Sequence, residues 1–157
     1  MPFDSNLQRK IMGRFATGVT VMTTRQGEED WGMTANAVTS LSLDPPLVLV
    51  AVESDSRTHA ILGQAGFFAL NILRAEQEHV SVTFAADGKK GFDLVRVGRA
   101  ATGAAVFEDG LAYVDCRVVD TLRGGDHDIF VGEIVAGEVR EGRPLVFFDS
   151  KYTTLRD

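Results

Sequence analysis

The chain has 157 residues, 45% hydrophobic and 24% charged, which excludes intrinsic disorder; at this length one core buries roughly 70% of the unfolded surface. Sixteen basic against 22 acidic residues leave a net charge of −6, so the average surface repels nucleic acid. No apolar run reaches the roughly 20 residues that a membrane span requires, and no membrane partner is expected.

In chain order, Phe3, Leu7, Ile11 and Phe15 recur every four residues, the spacing of one apolar stripe on a short helix capped by Asp4 or Ser5. Gly18 breaks that pattern, and the β-branched stretch 19–24 predicts a strand. Polar, glycine-containing residues 26–30 predict a hairpin tip leading into a strand from Trp31. Pro45 and Pro46 set an extended entry to the apolar run 47–52, expected to be a strand covered on both faces. A short helix over 58–65 ends at Gly66, and 67–72 predicts another buried strand.

Residues 75–85 follow helical spacing, and the charged, glycine-flanked stretch 87–91 reads as a mobile loop. Over 111–122, Val114, Cys116 and Val118 alternate with Asp115 and Arg117, the period of a half-exposed strand. Residues 123–128 turn the chain, 129–139 run back, and 145–148 form the last expected strand. Regularly spaced strands with few short helices predict a mainly β, antiparallel barrel, continuous over residues 1–157.

Three segments offer chemistry, each beside a plainer reading. Met33, Thr34, Ala35, Asn36, Ala37, Val38, Thr39 and Ser40 combine small side chains, which let a flat ring approach backbone, with donors for its edge. By composition alone they are a polar loop between two strands. Ser54, Ser56, Arg57 and Thr58 stand at a helix start, where free N–H groups, hydroxyls and a guanidinium suit a phosphate, although Ser56 or Thr58 as an ordinary N-cap explains them too. Gly124 to Asp128 form a tight turn around His127, whose ring can donate a hydrogen bond, or a solvated hairpin tip.

His59, His79 and His127 lack metal-ligand spacing, so no metal is expected. Cys116 is the single cysteine, which excludes an intrachain disulfide and fits the cytoplasm; on an alternating strand it is core and not a nucleophile. The first 6 residues have no secretory character, no Gly-x-Ser-x-Gly elbow occurs, and no Gly-x-Gly-x-x-Gly follows the first strand, so a Rossmann half is excluded.

Taken together, Met33-Thr34-Ala35-Asn36, Ser42-Leu43-Asp44-Pro45-Pro46-Leu47-Val48, Gly66-Phe67-Phe68-Ala69-Leu70-Asn71-Ile72 and Gly125-Asp126-His127 followed by Ile129-Phe130-Val131-Gly132-Glu133 occur in one order. In this the chain resembles the short-chain flavin reductases, the reductase components of two-component flavin-dependent monooxygenases. The resemblance implies a split β-barrel with a few short peripheral α-helices, a homodimer that binds FMN or FAD and uses NADH or NADPH. It implies hydride transfer from the nicotinamide C4 to the flavin N5, with reduced flavin diffusing to a separate oxygenase.

By the same resemblance, residues matching Met33, Thr34, Ala35, Asn36 and Ala37 line the flavin ring, with Thr39 and Ser40 nearby. Those matching Ser54, Ser56, Arg57 and Thr58 approach the ribityl phosphate, and Phe84 and Ala85 match a further flavin-touching segment. His127 matches the residue that faces the nicotinamide, and Tyr152 an aromatic beside it. Ala37 departs from the commoner serine, a difference of one hydrogen bond worth ~0.5–1.5 kcal/mol. A flavin-binding protein without reductase activity, for storage or electron relay, and a split-barrel flavin oxidase are the alternatives.

Overall fold

The computed structural model describes residues 2–156. The chain begins with α1 (Ser5–Gly13), whose N-cap is Asp4: its carboxylate accepts the Asn6 N–H. The stripe expected on this helix is real but unpartnered within the chain, with Phe3 and Phe15 65% and 69% exposed. There follow β1 (Thr17–Gly18), β2 (Thr20–Gln26), β3 (Glu29–Ala35), β4 (Val38–Leu43) and β5 (Pro46–Glu53). Next come α2 (Arg57–Ala65), β6 (Phe67–Ile72) and, after a 3-10 turn at 75–77, α3 (Glu78–Ala86). The chain ends with β7 (Val97–Arg99), β8 (Ala105–Phe107), β9 (Ala112–Gly124), β10 (His127–Val139), β11 (Val146–Phe148) and β12 (Lys151–Thr153).

Seven strands form one antiparallel sheet in the order β3-β2-β6-β9-β10-β5-β4. Its two edge strands, β3 and β4, are consecutive in the chain and joined only by Asn36 and Ala37. Residues 35 and 38 can stand no more than about 11 Å apart, so the sheet must curl until its edges nearly meet. The result is a barrel left split between β3 and β4, the mainly β architecture expected from the sequence. A smaller sheet, β1-β11-β12, lies beside it.

β2 is buried on both faces, which suits its β-branched composition. Met22 joins Val50, Phe68, Cys116 and Phe130 in one cluster with Leu62 of α2, while Val21 joins Leu73, Val80, Phe84 and Phe107 in another against α3. The buried threonines keep their hydroxyls satisfied: Thr20 donates to the Ala35 carbonyl (2.7 Å), Thr23 to Ala105 (2.6 Å) and Thr24 to Phe67 (2.8 Å). Asn71, fully buried on β6, accepts the Phe107 N–H at 2.8 Å and donates to Val21, stitching β2, β6 and β8 together.

Several expectations are corrected. Residues 38–43, within and beyond the stretch read as a polar loop, form an edge strand, because pairing with β5 satisfies their backbone whatever their side chains. β5 is not covered on both faces: Val48, Val50 and Val52 are buried, whereas Leu47, Leu49 and Ala51 are half-buried. Asp115, expected on a solvated face of β9, is fully buried and accepts the N–H groups of Ala101 and Thr102 and the Thr102 hydroxyl. The strand over 145–148 is not the last, since β12 pairs back on β11.

Candidate functional site

Where β3 ends, a cleft of about 230 Å³ is lined by Met33, Thr34, Ala35, Asn36 and Ala37 together with Ala51, Val52, Glu53, Ser56 and His127. The wall is built on fixed backbone, with β3 paired to β2 and the Ala51 N–H donating to the Ala37 carbonyl at 3.0 Å. The three alanines leave the main chain open to a flat molecule. Thr34 turns its hydroxyl to the Ser81 carbonyl (2.6 Å), and the Asn36 amide donates to Thr17 Oγ1 (3.3 Å) while its carbonyl oxygen remains an acceptor.

Beyond Met33 a second cleft of about 450 Å³ runs past Arg57 and Thr58, the first two residues of α2. Ser56 is the N-cap and accepts the His59 N–H at 3.1 Å, so the capping role foreseen for it is filled. The helix start directs N–H groups and partial positive charge at this end of the groove. The Arg57 guanidinium lies over the Trp31 ring, 4.9 Å from its centroid, and the Trp31 indole N–H donates to Thr58 Oγ1 at 2.9 Å.

Phe84 is 2% exposed, its ring packed on Phe92 and Phe107 and bounded by Gly32 and Gly91, and it forms part of the second cleft's lining beside Ala85. Residues 87–91 are not a free loop. The Gly32 N–H donates to the Gly88 carbonyl (2.9 Å), Gly88 lies flat against the Trp31 ring, and Gly91 is buried on Phe84. The Lys89 N–H donates to the Asp87 carboxylate, which holds that carboxyl below its ordinary range.

At the other end of the first cleft, β9 and β10 meet in a hairpin whose Gly125 has φ 73°, a conformation that suits glycine. His127 is aligned with Glu53 on the neighbouring strand, and the Ser54 N–H donates to the Asp126 carbonyl at 3.0 Å. His127 Nδ1 meets Asp126 Oδ1 at 2.7 Å, and this bond holds the Asp126 carboxyl below the usual carboxylate range. A third cleft of about 210 Å³ lies between Thr34, Asn36 and Ala85 and the aromatic pair Phe147 and Tyr152. There Ser81 Oγ and the Tyr152 hydroxyl are 2.7 Å apart.

Shared lining residues connect these clefts into one groove: Met33 borders the first two, Thr34 and Asn36 the first and third, and Ala85 the second and third. It brings together Met33 to Ala37, Ser56, Arg57, Thr58, Phe84, Ala85, His127 and Tyr152. Thr39 lines a further hollow of about 630 Å³ with Phe15, Leu49, Ile129 and Phe147, which meets the first cleft at Asn36, Ala37 and Ala51, and Ser40 and Ser54 line none of these clefts. Sequence reasoning missed Trp31 and Ser81. The lone tryptophan directly before Gly32-Met33-Thr34 was the available signal for the first; nothing marked the second.

Cys116 is fully buried and its thiol is pushed up to about 12, chiefly by burial, so it is core and not a nucleophile. Among the described residues no three His, Cys, Asp or Glu side chains gather as a metal site, and no helix is long and apolar enough to cross a membrane.

Comparison with known proteins agrees with this geometry. The family described as "Flavin reductase like domain" matches residues 12–156. The reductase component of 4-nitrophenol 4-monooxygenase/4-nitrocatechol 2-monooxygenase from Rhodococcus opacus is 40% identical over 151 residues, covering 96% of this chain and 81% of the relative. An NADH-dependent flavin reductase from a Rhodococcus species is 38% identical over 150 residues, covering 94% and 84%. The NADH:FAD oxidoreductase SgcE6 of Streptomyces globisporus C-1027, solved with NAD and FAD fragments, superposes with a TM-score of 0.91 at 34% identity, over 99% of this chain and 97% of that one. Matched in this way over nearly its whole length, the chain belongs to the flavin reductase-like family.

Proposed function

We propose that this protein is an NADH-dependent flavin reductase of the cytoplasm, which supplies reduced FMN or FAD to a separate monooxygenase component and works as a homodimer. The observation that carries the reading is the groove itself, with a small-residue backbone wall in its middle, a helix start with Arg57 at one end and His127 at the other. That donor set fits a flavin: the alanines admit a planar ring, Thr34 and Asn36 flank its edge, and Arg57 with the free N–H groups at the start of α2 suits the phosphate. Bound there, the flavin supplies the acceptor for the hydride of NADH, and the protein's part is to bind and orient.

Backbone N–H groups around Thr34 to Ala37 stabilise negative charge at the edge of the ring. His127, held by Asp126, orients the nicotinamide and is assigned no obligatory proton transfer. Tyr152, anchored on Ser81, walls the third cleft across from Thr34 and Asn36. The exposed apolar face of α1, together with the outer hollow lined by Leu49, Ile129 and Phe147, supports the homodimer, since patches of this kind in a water-exposed chain are normally covered.

The test is NADH oxidation by the purified protein with added FMN or FAD, with light scattering during gel filtration for the assembly. Flavin-dependent turnover and a mass of two chains are expected. A protein that binds flavin yet leaves NADH unoxidised would be the storage or relay alternative, and a single-chain mass would remove the homodimer.

A further inference from the structure

His59 and Asp128 line none of the three joined clefts, yet together they tie the two ends of the groove to each other. His59 stands in the first turn of α2, two residues beyond Arg57, and its Nε2 lies 2.7 Å from Asp128 Oδ2. Asp128 is the second residue of β10 and follows His127 directly. Successive strand side chains point to opposite faces, so while His127 faces the cleft, Asp128 turns away from it toward α2.

The bond is well confined. The two side chains are only 25% and 23% exposed, and the His59 ring stands edge-on to Phe130 with centroids 5.2 Å apart. The two partners of this bond are unequally supported by the rest of the chain. α2 is fixed by Ile61 and Leu62, 2% and 0% exposed, and by the bond from Trp31 to Thr58. Residues 121–126 of the hairpin are exposed throughout. Apart from its strand ladder and the Ser54 N–H on the Asp126 carbonyl, the start of β10 is therefore held by what α2 offers it.

We propose that His59 and Asp128 are positioning residues: their bond fixes the start of β10, and with it the His127 ring, relative to the α2 N-terminus. It thereby sets the distance between the nicotinamide end and the phosphate end of one groove. This rests on the reading of His127 as the nicotinamide contact.

Steady-state kinetics of H59F, H59Q, D128A and H127A, with flavin affinity from fluorescence titration, test it. H59F keeps a ring against Phe130 but loses the bond. Its KM for NADH should rise about five- to tenfold, while kcat and flavin Kd stay within about twofold. D128A should match it. H59Q places an amide N–H where Nε2 stood and should return KM to within about twofold of the original. An unchanged KM in H59F and D128A, a parallel loss of kcat and flavin binding in both, or no recovery in H59Q overturns the proposal. H127A separates the two readings. If H127A leaves KM unchanged while H59F raises it, the role given to His127 fails and the hairpin anchor stands; if KM rises in H127A alone, the anchor fails.

Discussion

The two walls of the groove are held in different ways. On the β3 side, Trp31 to Ala35 are pinned by packing: Gly32 and Gly91 close on the Phe84 ring, Gly88 lies on Trp31, and the Thr34 hydroxyl reaches the Ser81 carbonyl in a buried turn of α3. On the hairpin side, proposed to meet the nicotinamide, residues 121–126 are exposed, and beyond the strand ladder His127 depends on a few polar tethers: Asp126 beside it, Ser54 to the Asp126 carbonyl, and the neighbouring bond from His59 to Asp128. A densely packed wall is preorganised and costly to alter, whereas a tethered tip adjusts at small cost. That asymmetry suits a site in which the nicotinamide must enter and leave at every turnover.

The largest effect is expected where the packed wall is overfilled. Gly91→Ala puts a methyl group into the buried Phe84 ring, and overpacking of this kind costs about 1–3 kcal/mol. For a chain of this size that lowers Tm by roughly 2–12 °C in a thermal melt. A melt unchanged by G91A would break the contrast between the walls. His127→Ala should do the opposite, leaving Tm nearly unmoved while the KM for NADH rises about tenfold, equivalent to about 1.4 kcal/mol. Flavin Kd should stay within about twofold, and a larger loss of flavin than of NADH binding would place His127 at the wrong end.

A smaller effect falls on the bond from Ser81 to Tyr152. Ser81→Ala and Tyr152→Phe should each cost about 0.5–1.5 kcal/mol of stability, and the double variant little more than either alone. Additive losses in chemical denaturation would mean that the two hydroxyls are not partners.

The smallest effect belongs to Asp126→Asn, because Asp126 is fully exposed. Its carboxyl is lowered by the hydrogen bond from His127, so the bond contributes stability above the ordinary carboxylate range near pH 4 and loses it as pH falls through the lowered value. Thermal melts of D126N and the unaltered protein should therefore differ slightly at pH 6–7 and converge at strongly acid pH. A gap that widened on acidification would reverse the assignment.

Much of this was legible in the sequence because period and punctuation carry it. The β-branched run at 19–24, the proline entry to β5, and the glycine after α2 each specify local geometry, and each element stands where it was expected. The resemblance likewise picked out Met33 to Ala37, Arg57 and His127, which meet along one groove although 94 residues separate Met33 from His127. What escaped was tertiary. β4 alternates Leu41 and Leu43 with serines, but both leucines are exposed, and the strand exists because β5 pairs with it. Asp115 follows a solvated period yet is buried, since the loop at 101–102 supplies three donors from elsewhere in the chain. Phe84 matched a flavin-touching segment and lines the second cleft, but that its ring is also packed between Gly32 and Gly91 had no signal in the sequence. Ser81 is one serine in a helix until Tyr152 arrives opposite it.

The central claim is that the cleft at the end of β3 is where flavin is reduced by NADH, and anaerobic stopped-flow mixing tests it most directly. Flavin and protein are mixed with excess NADH, and bleaching of the flavin's visible absorbance is followed for the unaltered chain and for Ala37→Leu, which places a bulky side chain in the cleft from an exposed position. The account predicts a fast bleaching phase that saturates with NADH in the unaltered protein and is lost in A37L at unchanged Tm. Bleaching no faster than in the protein-free mixture, or equally fast in A37L, would contradict it.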